Sequence, residues 1–489
     1  MARGVREGAG HTVMVVARNT AFLAIADVIA KSTTFVFMLV AARHLGADGF
    51  GTLSFGLAFV NMFVVLTDLG LGQLAVRDIA RDPTIAGRLL GSALAIKLAA
   101  TVVVVAAIIS LVNVLGYSRP SVSAVCICSL VIVDSAFTLF YRSIFQAFER
   151  TAFAAIGRMI QTVILAAGLI VISHFPPSVE YYAWLFAVSS LVTAVFSWVV
   201  TSLFLVRPSL SFNLRRWGRL LSAASPVAVA ALLIAVYYWN GATMLAKVRG
   251  DAAVGVYSAA LRLVLGLSFL SSAFAGAMYP VMARVFATEQ ARLSDILGRS
   301  LRYVAVVGIP LGVLGTALAG PIVALLYGPE FALSASVLRV LVWWGALMYF
   351  NCMFGNYFLS VDRARVVALQ AAVSLSVNVI LNVVLIPLLG AMAAAISLVA
   401  AEFAGLALLV LLQMRSFARL RLPSVASSIG RVATAAVAAA PLAWFVARWH
   451  VLPGLAAGLS AYVVLLFLLR ALTGTDVAVL RSMLFRPRV

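Results

Sequence analysis

Charge is scarce in this sequence, and acid is scarcer than base. Only 11% of the 489 residues are charged, and 16 Asp and Glu stand against 36 Lys and Arg. A soluble domain is closer to a quarter charged, so a water-soluble globular fold is excluded. Lysine is nearly missing: Lys31, Lys97 and Lys247 are the whole set. A phosphate-binding P-loop needs glycine directly before its lysine, and none of the three has one, which excludes an ATP-driven pump of that kind. The four histidines, His11, His44, His174 and His450, are scattered and build no nucleophile–base pair, so the chain is not read as an enzyme. Cys126, Cys128 and Cys352 all sit in apolar runs with no histidine beside the C-x-C, and neither a metal site nor a cofactor is expected. Long polar loops are absent too. That removes the acidic extracytoplasmic motifs of a membrane glycosyltransferase or polymerase. It also removes a nucleic-acid-binding domain, despite a net charge of +20.

What is present is hydrocarbon. The chain is 64% hydrophobic with mean hydropathy +1.10, the composition of an all-α polytopic membrane protein. Apolar runs predict about 14 transmembrane helices, at 16–41, 50–72, 88–115, 121–147, 151–173, 180–206, 220–246, 251–284, 301–327, 332–360, 364–388, 390–414, 428–447 and 451–471. The first run contains Asp27 and Lys31, so it reads as a spanning helix rather than a cleaved signal peptide. Of the 36 basic residues, 25 fall on even-numbered connections and the termini, 5 on odd-numbered connections and 6 inside spans. This asymmetry predicts even connections and both termini in the cytoplasm, in a multi-pass protein of a cell inner membrane.

An internal repeat appears at an offset of 204. RHLGADGFGTLSFGLAFV (43–60) lies over KVRGDAAVGVYSAALRLV (247–264), matching Gly46/Gly250, Gly51/Gly255, Ser54/Ser258, Leu57/Leu261 and Val60/Val264. It sets spans 1–2 over spans 7–8 in the same orientation, a parallel repeat of two six-helix lobes around a central cavity. The expected organisation is an N-terminal lobe at 1–215, a C-terminal lobe at 216–420 and a helix pair at 421–489. The matched glycines suit tight turns that need φ > 0.

Charge inside a span costs about 2.5–3.5 kcal/mol or more and usually faces a cavity or a partner. The basic set is Lys31, Lys97, Arg142, Arg158, Arg262 and Arg339; the acidic set is Asp27, Asp68, Asp134 and Glu402. A cavity lined by the basic surplus would favour an anion. Asp27 and Lys31 can pair at i, i+4. Asp134, Thr138, Arg142 and Gln146 form one polar stripe, and Gln370, Ser374, Asn378 and Asn382 form another, which also suits helix–helix bonding. Arg158 and Arg339 lie where a long side chain could snorkel to an interface.

The segment TDLGLGQLAV (67–76) spells G-x-G-x-x-A with Gly70, Gly72 and Ala75. The dinucleotide fingerprint needs a short strand before it, but an uncharged 18-residue run, 50–67, precedes it. The segment reads as the end of a membrane helix.

Four stretches give the chain a family resemblance: AARHLGADGFGTLSFGLAFVNMFVVLTDLGLGQLAVRDIARD (41–82), VGVYSAALRLVLGLSFLSSAFAGAMYPVMARV (254–285), LYGPEFALSASVLRVL (326–341) and NVVLIPLLGAMAAAISLVAAEF (382–403), with FQAFERTAF (145–153) adding a weaker match. The sequence resembles the polysaccharide-transporter branch, the oligosaccharide-lipid flippases, of the multidrug/oligosaccharidyl-lipid/polysaccharide (MOP) exporter superfamily. The resemblance implies alternating-access translocation of a lipid-linked oligosaccharide, on a polyprenyl carrier such as undecaprenyl diphosphate, from the cytoplasmic to the outer leaflet for surface polysaccharide biosynthesis. Arg262, Lys31 and Arg142, with Arg18, Arg158 and Arg339, are the candidate diphosphate contacts, since guanidinium forks match phosphate oxygens. Asn240 stands where relatives often carry an acid, so Asn240 with Asn378 or Asn382 is the candidate for Na⁺ coupling, with H⁺ as the other ion. Expected partners are the lipid-linked oligosaccharide, membrane lipids and a glycan polymerase or glycosyltransferases, with no nucleic acid. The alternatives are a cation-coupled multidrug exporter and a non-transporting accessory subunit of a glycan-synthesis complex.

Overall fold

The structure is a computed structural model that describes residues 2–68, 70–207, 214–415 and 422–471, with side chains from Ile25 onward apart from scattered positions. Among the described residues every regular element is helical. They are α1 (Ala2–Asp68), α2 (Leu71–Arg81), α3 (Ala86–Val114), α4 (Arg119–Cys128), α5 (Leu130–Ala147), α6 (Ala152–Ile172), α7 (Val179–Phe204), α8 (Leu214–Arg249), α9 (Asp251–Thr288), α10 (Gln290–Leu326), α11 (Ala332–Ser360), α12 (Ala364–Leu389), α13 (Ala391–Met414), α14 (Leu422–Ala447) and α15 (Val451–Leu468).

Twelve segments among the described residues are long and apolar enough to cross a bilayer. The first, Ile25–Asp68, has 44 residues. That is about 66 Å of helix at 1.5 Å per residue, twice a hydrocarbon core of about 30 Å. It makes two passes, because Gly46 breaks the helix with φ 68° and ψ −175°. The helices α4 and α5 share one pass, Arg119–Ala147, while α8 holds the apolar run expected for span 7. The all-α polytopic expectation is met, and most ends fall within a few residues of the apolar runs.

Two ends differ. Span 9 was expected from 301, yet α10 starts at Gln290, because Leu293, Leu297 and Leu301 recur every fourth residue and are all buried. Span 2 was expected to run to 72 but ends at Asp68. After a turn at Gly70 (φ 71°) the chain continues as the short helix α2, whose Leu71, Ala75 and Ile79 join a core with Leu90, Phe140, Ile144 and Phe145. Gly72 serves packing there rather than turning: a Cβ on it would come within 2.8 Å of Ser143 Oγ.

By packing, the chain divides into two compact units, Met1–Gly255 and Val256–Val489. Unit 1 therefore includes α8 as well as spans 1–6, and it brings the repeat together. Gly46 and Gly250 both adopt positive φ, 68° and 80°, and each turns one helix into the next. Beyond each turn a matched glycine makes a close crossing. A Cβ on Gly51 would collide with the carbonyl oxygen of Asp251, and a Cβ on Gly255 with that of Ala47. Positions 47 and 251, like 51 and 255, are equivalent at the offset of 204, so the two segments cross with local two-fold symmetry.

At this end of unit 1 the odd connections meet. Asp251 accepts hydrogen bonds from Thr52 (3.0 Å), Ser118 (3.3 Å) and Ser121 (2.8 Å). Lys247 Nζ donates to the carbonyls of Leu115 (2.6 Å) and Gly116 (3.1 Å), and His44 bonds Tyr182 at 2.7 Å. The arginine-poor connections thus share one end of unit 1, as alternating membrane passes require. In unit 2 the helices α10, α14 and α15 pack through an alanine face, with Ala435, Ala436, Ala439 and Ala443 fully buried.

Candidate functional site

The polar stripe of α5 turns inward in unit 1 and meets charge from two other helices. Thr138 donates to Asp134 Oδ1 at 2.5 Å. One turn further, Arg142 lies 3.8 Å from Asp27 on α1. Arg158 on α6 approaches the other oxygen of Asp27 at 3.3 Å. Arg158 therefore does not snorkel outward. Gln161, one turn along α6, donates to Ser190 on α7 at 3.4 Å. Asp27 thus pairs across the bundle with two arginines, where the i, i+4 spacing had suggested Lys31 on its own helix.

The chemistry of this cluster follows from donor counting. Each guanidinium carries five N–H donors, while a carboxylate accepts about four bonds. Two arginines around Asp27 keep donors for a further anion. Arg142, Arg158 and Asp27 are 27%, 33% and 29% exposed, with the facing atoms Asp27 Oδ1 and Arg158 Nε enclosed, so the cluster is reached at its edges. The carboxylates of Asp27 and Asp134 also offset much of the basic surplus that the sequence suggested. Lys31, one turn along α1, is exposed. The side chain of Arg18 lies outside the described residues.

Arg262 and Arg339 belong to unit 2. Arg262 is half-buried on α9, with its Nε fully enclosed and Tyr327 close enough to interact electrostatically. Arg339 is exposed near the start of α11, an interfacial position, and its carbonyl accepts from Thr316 at 3.3 Å. Asn240, in unit 1, donates to the carbonyls of Val236 (2.7 Å) and Tyr237 (3.3 Å) on its own helix. In unit 2 Asn382 donates to Asn378 at 3.2 Å, and both are buried. The rest of that stripe faces α13: Ser374 donates to the carbonyl of Ala401 at 3.0 Å and accepts from Gln370 at 3.2 Å.

Sequence reasoning missed one charge pair. Lys97 is completely buried, with Nζ 2.7 Å from Asp68 Oδ1 and 3.3 Å from the carbonyl of Thr67. It also lies 5.2 Å from the centre of the Phe140 ring. Both ions were visible in their spans, but 29 residues separate them and periodicity assigns no partner across helices. On α2, Arg77 engages Asp78 at 2.8 Å. Asp82 caps the following turn, accepting from Thr84 N (3.0 Å) and Oγ1 (2.6 Å), which hold its carboxyl below the usual range.

Comparison with known proteins places this geometry in context. A sequence profile of the family described as "Polysaccharide biosynthesis protein" matches residues 16–286, and that of the MatE family matches 226–384. The probable low-salt glycan biosynthesis flippase Agl15 of Haloferax volcanii is 22% identical over 391 residues, 78% of this chain and 80% of that protein. The fold is similar to that of a solved structure of the lipid II flippase MurJ, itself in an inward closed conformation, with TM-score 0.73 at 13% identity over 95% of this chain and 99% of that one. An inward-facing multidrug resistance MATE family transporter of the MOP superfamily superposes with TM-score 0.62 at 17% identity, covering 81% and 95%.

Proposed function

The chain belongs to the polysaccharide biosynthesis protein family, and from that premise we propose that it flips a lipid-linked oligosaccharide, borne on a polyprenyl diphosphate, across the membrane by alternating access. The costly parts to carry through hydrocarbon are the diphosphate and the glycan; the polyprenyl tail stays in lipid. The observation that carries the reading is the part-exposed Asp27–Arg142–Arg158 cluster, where guanidinium donors exceed the acceptors that neutralise them. On this reading Arg142, Arg158 and Lys31 are the phosphate contacts of unit 1 and Arg262 is a separate phosphate contact of unit 2, with Arg18 and Arg339 as further candidates. The lobes follow the repeat, 1–215 and 216–420, with 421–489 as an accessory pair. The arginine-rich end and both termini face the cytoplasm of an inner membrane. Asn240 on unit 1 and the Asn378–Asn382 pair on unit 2 are separate candidates for Na⁺ or H⁺ coupling. Glycan polymerase or glycosyltransferases are the partners that would supply or consume the cargo.

The MatE match favours one second reading, a cation-coupled multidrug exporter. Binding of a short polyprenyl diphosphate sugar to purified protein, with an organic cation as competitor, separates the two. The flippase reading expects binding that ignores the cation. Arg262→Ala should weaken it about tenfold to a hundredfold, the range for a hydrogen bond to a charged group. Arg262→Lys should fall between, since a point charge replaces a fork. Unchanged binding in Arg262→Ala removes that residue from the site. Cation binding without diphosphate binding moves the assignment to the exporter. Transport by the purified protein alone excludes a merely accessory subunit.

A further inference from the structure

At the arginine-rich end of unit 2 there is a cavity of about 310 Å³. It lies between the first turns of α10 and α14. Ser294, Asp295, Arg299 and Arg302 form one wall, and Val425 and Ser428 form the other. Two guanidiniums stand against one carboxylate, so the lining is net positive. Asp295 sits one turn before Arg299 and offsets part of its charge. Arg292, next along the helix, is already engaged by Glu289 at 2.9 Å. The serine hydroxyls add neutral donors on both walls.

The level of this cavity decides what fills it. The segments of the two helices long and apolar enough to cross a bilayer are Arg292–Leu326 and Val425–Ala447; the first, at 35 residues, is about 52 Å long and so overreaches a hydrocarbon core of about 30 Å. The lining residues occupy the opening turns of both, about 12 Å of helix rise on α10. That is the depth of lipid headgroups and the outermost hydrocarbon. Further along, α10 and α14 close against each other through Ala435, Ala439 and Leu314, so the cavity does not continue inward. The outer side of α14 stays apolar and exposed, with Val437 at 60% and Trp444 at 49%, a surface suited to acyl chains.

We propose that this cavity holds the phosphate of an anionic phospholipid headgroup from the leaflet at the arginine-rich end, with Arg299 and Arg302 as its charged contacts and Ser294 and Ser428 as hydrogen-bond donors. Basic pockets between transmembrane helices recognise headgroups in this way, and guanidinium forks match phosphate oxygens. The site is separate from the diphosphate contacts proposed above and stands whether or not the chain is a flippase.

The test uses the full chain purified in neutral detergent, with fluorescent phosphatidylglycerol as probe. Phosphatidylcholine and inorganic phosphate serve as competitors. Saturable binding is expected that neither competitor displaces at equal concentration. Arg299→Ala/Arg302→Ala should weaken it about tenfold or more. Ser428→Leu, which fills the cavity and keeps both arginines, should weaken it comparably, whereas diffuse charge attraction would leave that variant unchanged. Arg363→Ala/Arg365→Ala, a basic pair elsewhere in unit 2, should bind like wild type. Arg299→Lys/Arg302→Lys guards against misfolding of the alanine variant and should retain most of the binding. Wild-type binding in the alanine double variant or in Ser428→Leu overturns the proposal. Displacement by inorganic phosphate also overturns it, in favour of a free-anion site.

Discussion

In unit 1 two cross-helix clusters between membrane helices are built from ions: Lys97 with Asp68, and Asp27 between Arg142 and Arg158. Unit 2 relies more on neutral amides and hydroxyls. Gln370 donates to Ser374, Asn382 to Asn378, and Asn351 to both the carboxylate and the carbonyl of Glu402, at 2.8 and 2.9 Å. The two solutions differ in how they fail. An ion pair in hydrocarbon is tolerable whole and costly when halved, while a neutral bond between helices adds little and removes little. Unit 1 also contains both kinds of ion cluster. Around Lys97 the pair is closed, with no exposed surface on the lysine, and reads as structure. Around Asp27 it is part-exposed, the cluster proposed above as a diphosphate contact.

The largest effect expected from this contrast is at the closed pair. Asp68→Asn would leave the Lys97 ammonium buried without its counter-charge, and about 3–5 kcal/mol of stability should be lost. Thermal unfolding of the purified protein in detergent would show it. Replacing both partners, Asp68→Leu with Lys97→Met, should recover most of the loss, since a well-packed apolar pair avoids desolvation. A wild-type melting curve for Asp68→Asn alone would break the comparison and make Lys97 tolerant of losing Asp68.

A smaller effect sharpens the symmetry of unit 1. Gly51→Ala and Gly255→Ala each push a methyl group into a backbone carbonyl, of Asp251 and Ala47 respectively. Each should cost about 1–3 kcal/mol, the range for overpacking. The repeat requires the two costs to be similar. The double variant should cost less than their sum, because one separation of the segments relieves both clashes. Unequal single costs would show that the repeat is a sequence trace without mechanical equivalence.

The sequence made the passes, their alternation and this repeat legible because each rests on one-dimensional information. Apolar run length marks a span, arginine distribution marks its ends, and a fixed offset marks the repeat. The polar stripes were legible too, since i, i+4 spacing puts Asp134, Thr138 and Arg142 on one face. Which helix a stripe faces was not. Asp27 had Lys31 one turn away, yet its cross-helix partners came from α5 and α6, and Lys97 found Asp68 across 29 residues. Such choices depend on helix rotation and neighbour order, which the apolar pattern of a membrane helix encodes weakly: lipid-facing and core-facing residues are both apolar. The short helix α2 escaped notice for another reason. Its strong amphipathic pattern lies among charges that read as a loop, and only the core beneath Leu71, Ala75 and Ile79 makes it a helix.

The smallest effect belongs to unit 2. Ser374→Ala removes the 3.0 Å bond to the Ala401 carbonyl and the acceptor for Gln370. Interhelical bonds of this kind average about 0.6 kcal/mol in a membrane, because the separated helices find other partners for the same groups. The melting temperature should therefore fall far less than for Asp68→Asn, and by the same amount in Na⁺ as in choline. A loss as large as that of the ion pair would mean that neutral polarity in unit 2 is not merely joining α12 to α13. A loss that appears only in Na⁺ would go further. It would tie the stripe to a bound ion and favour the coupling role proposed for Asn378 and Asn382, one and two turns along the same face.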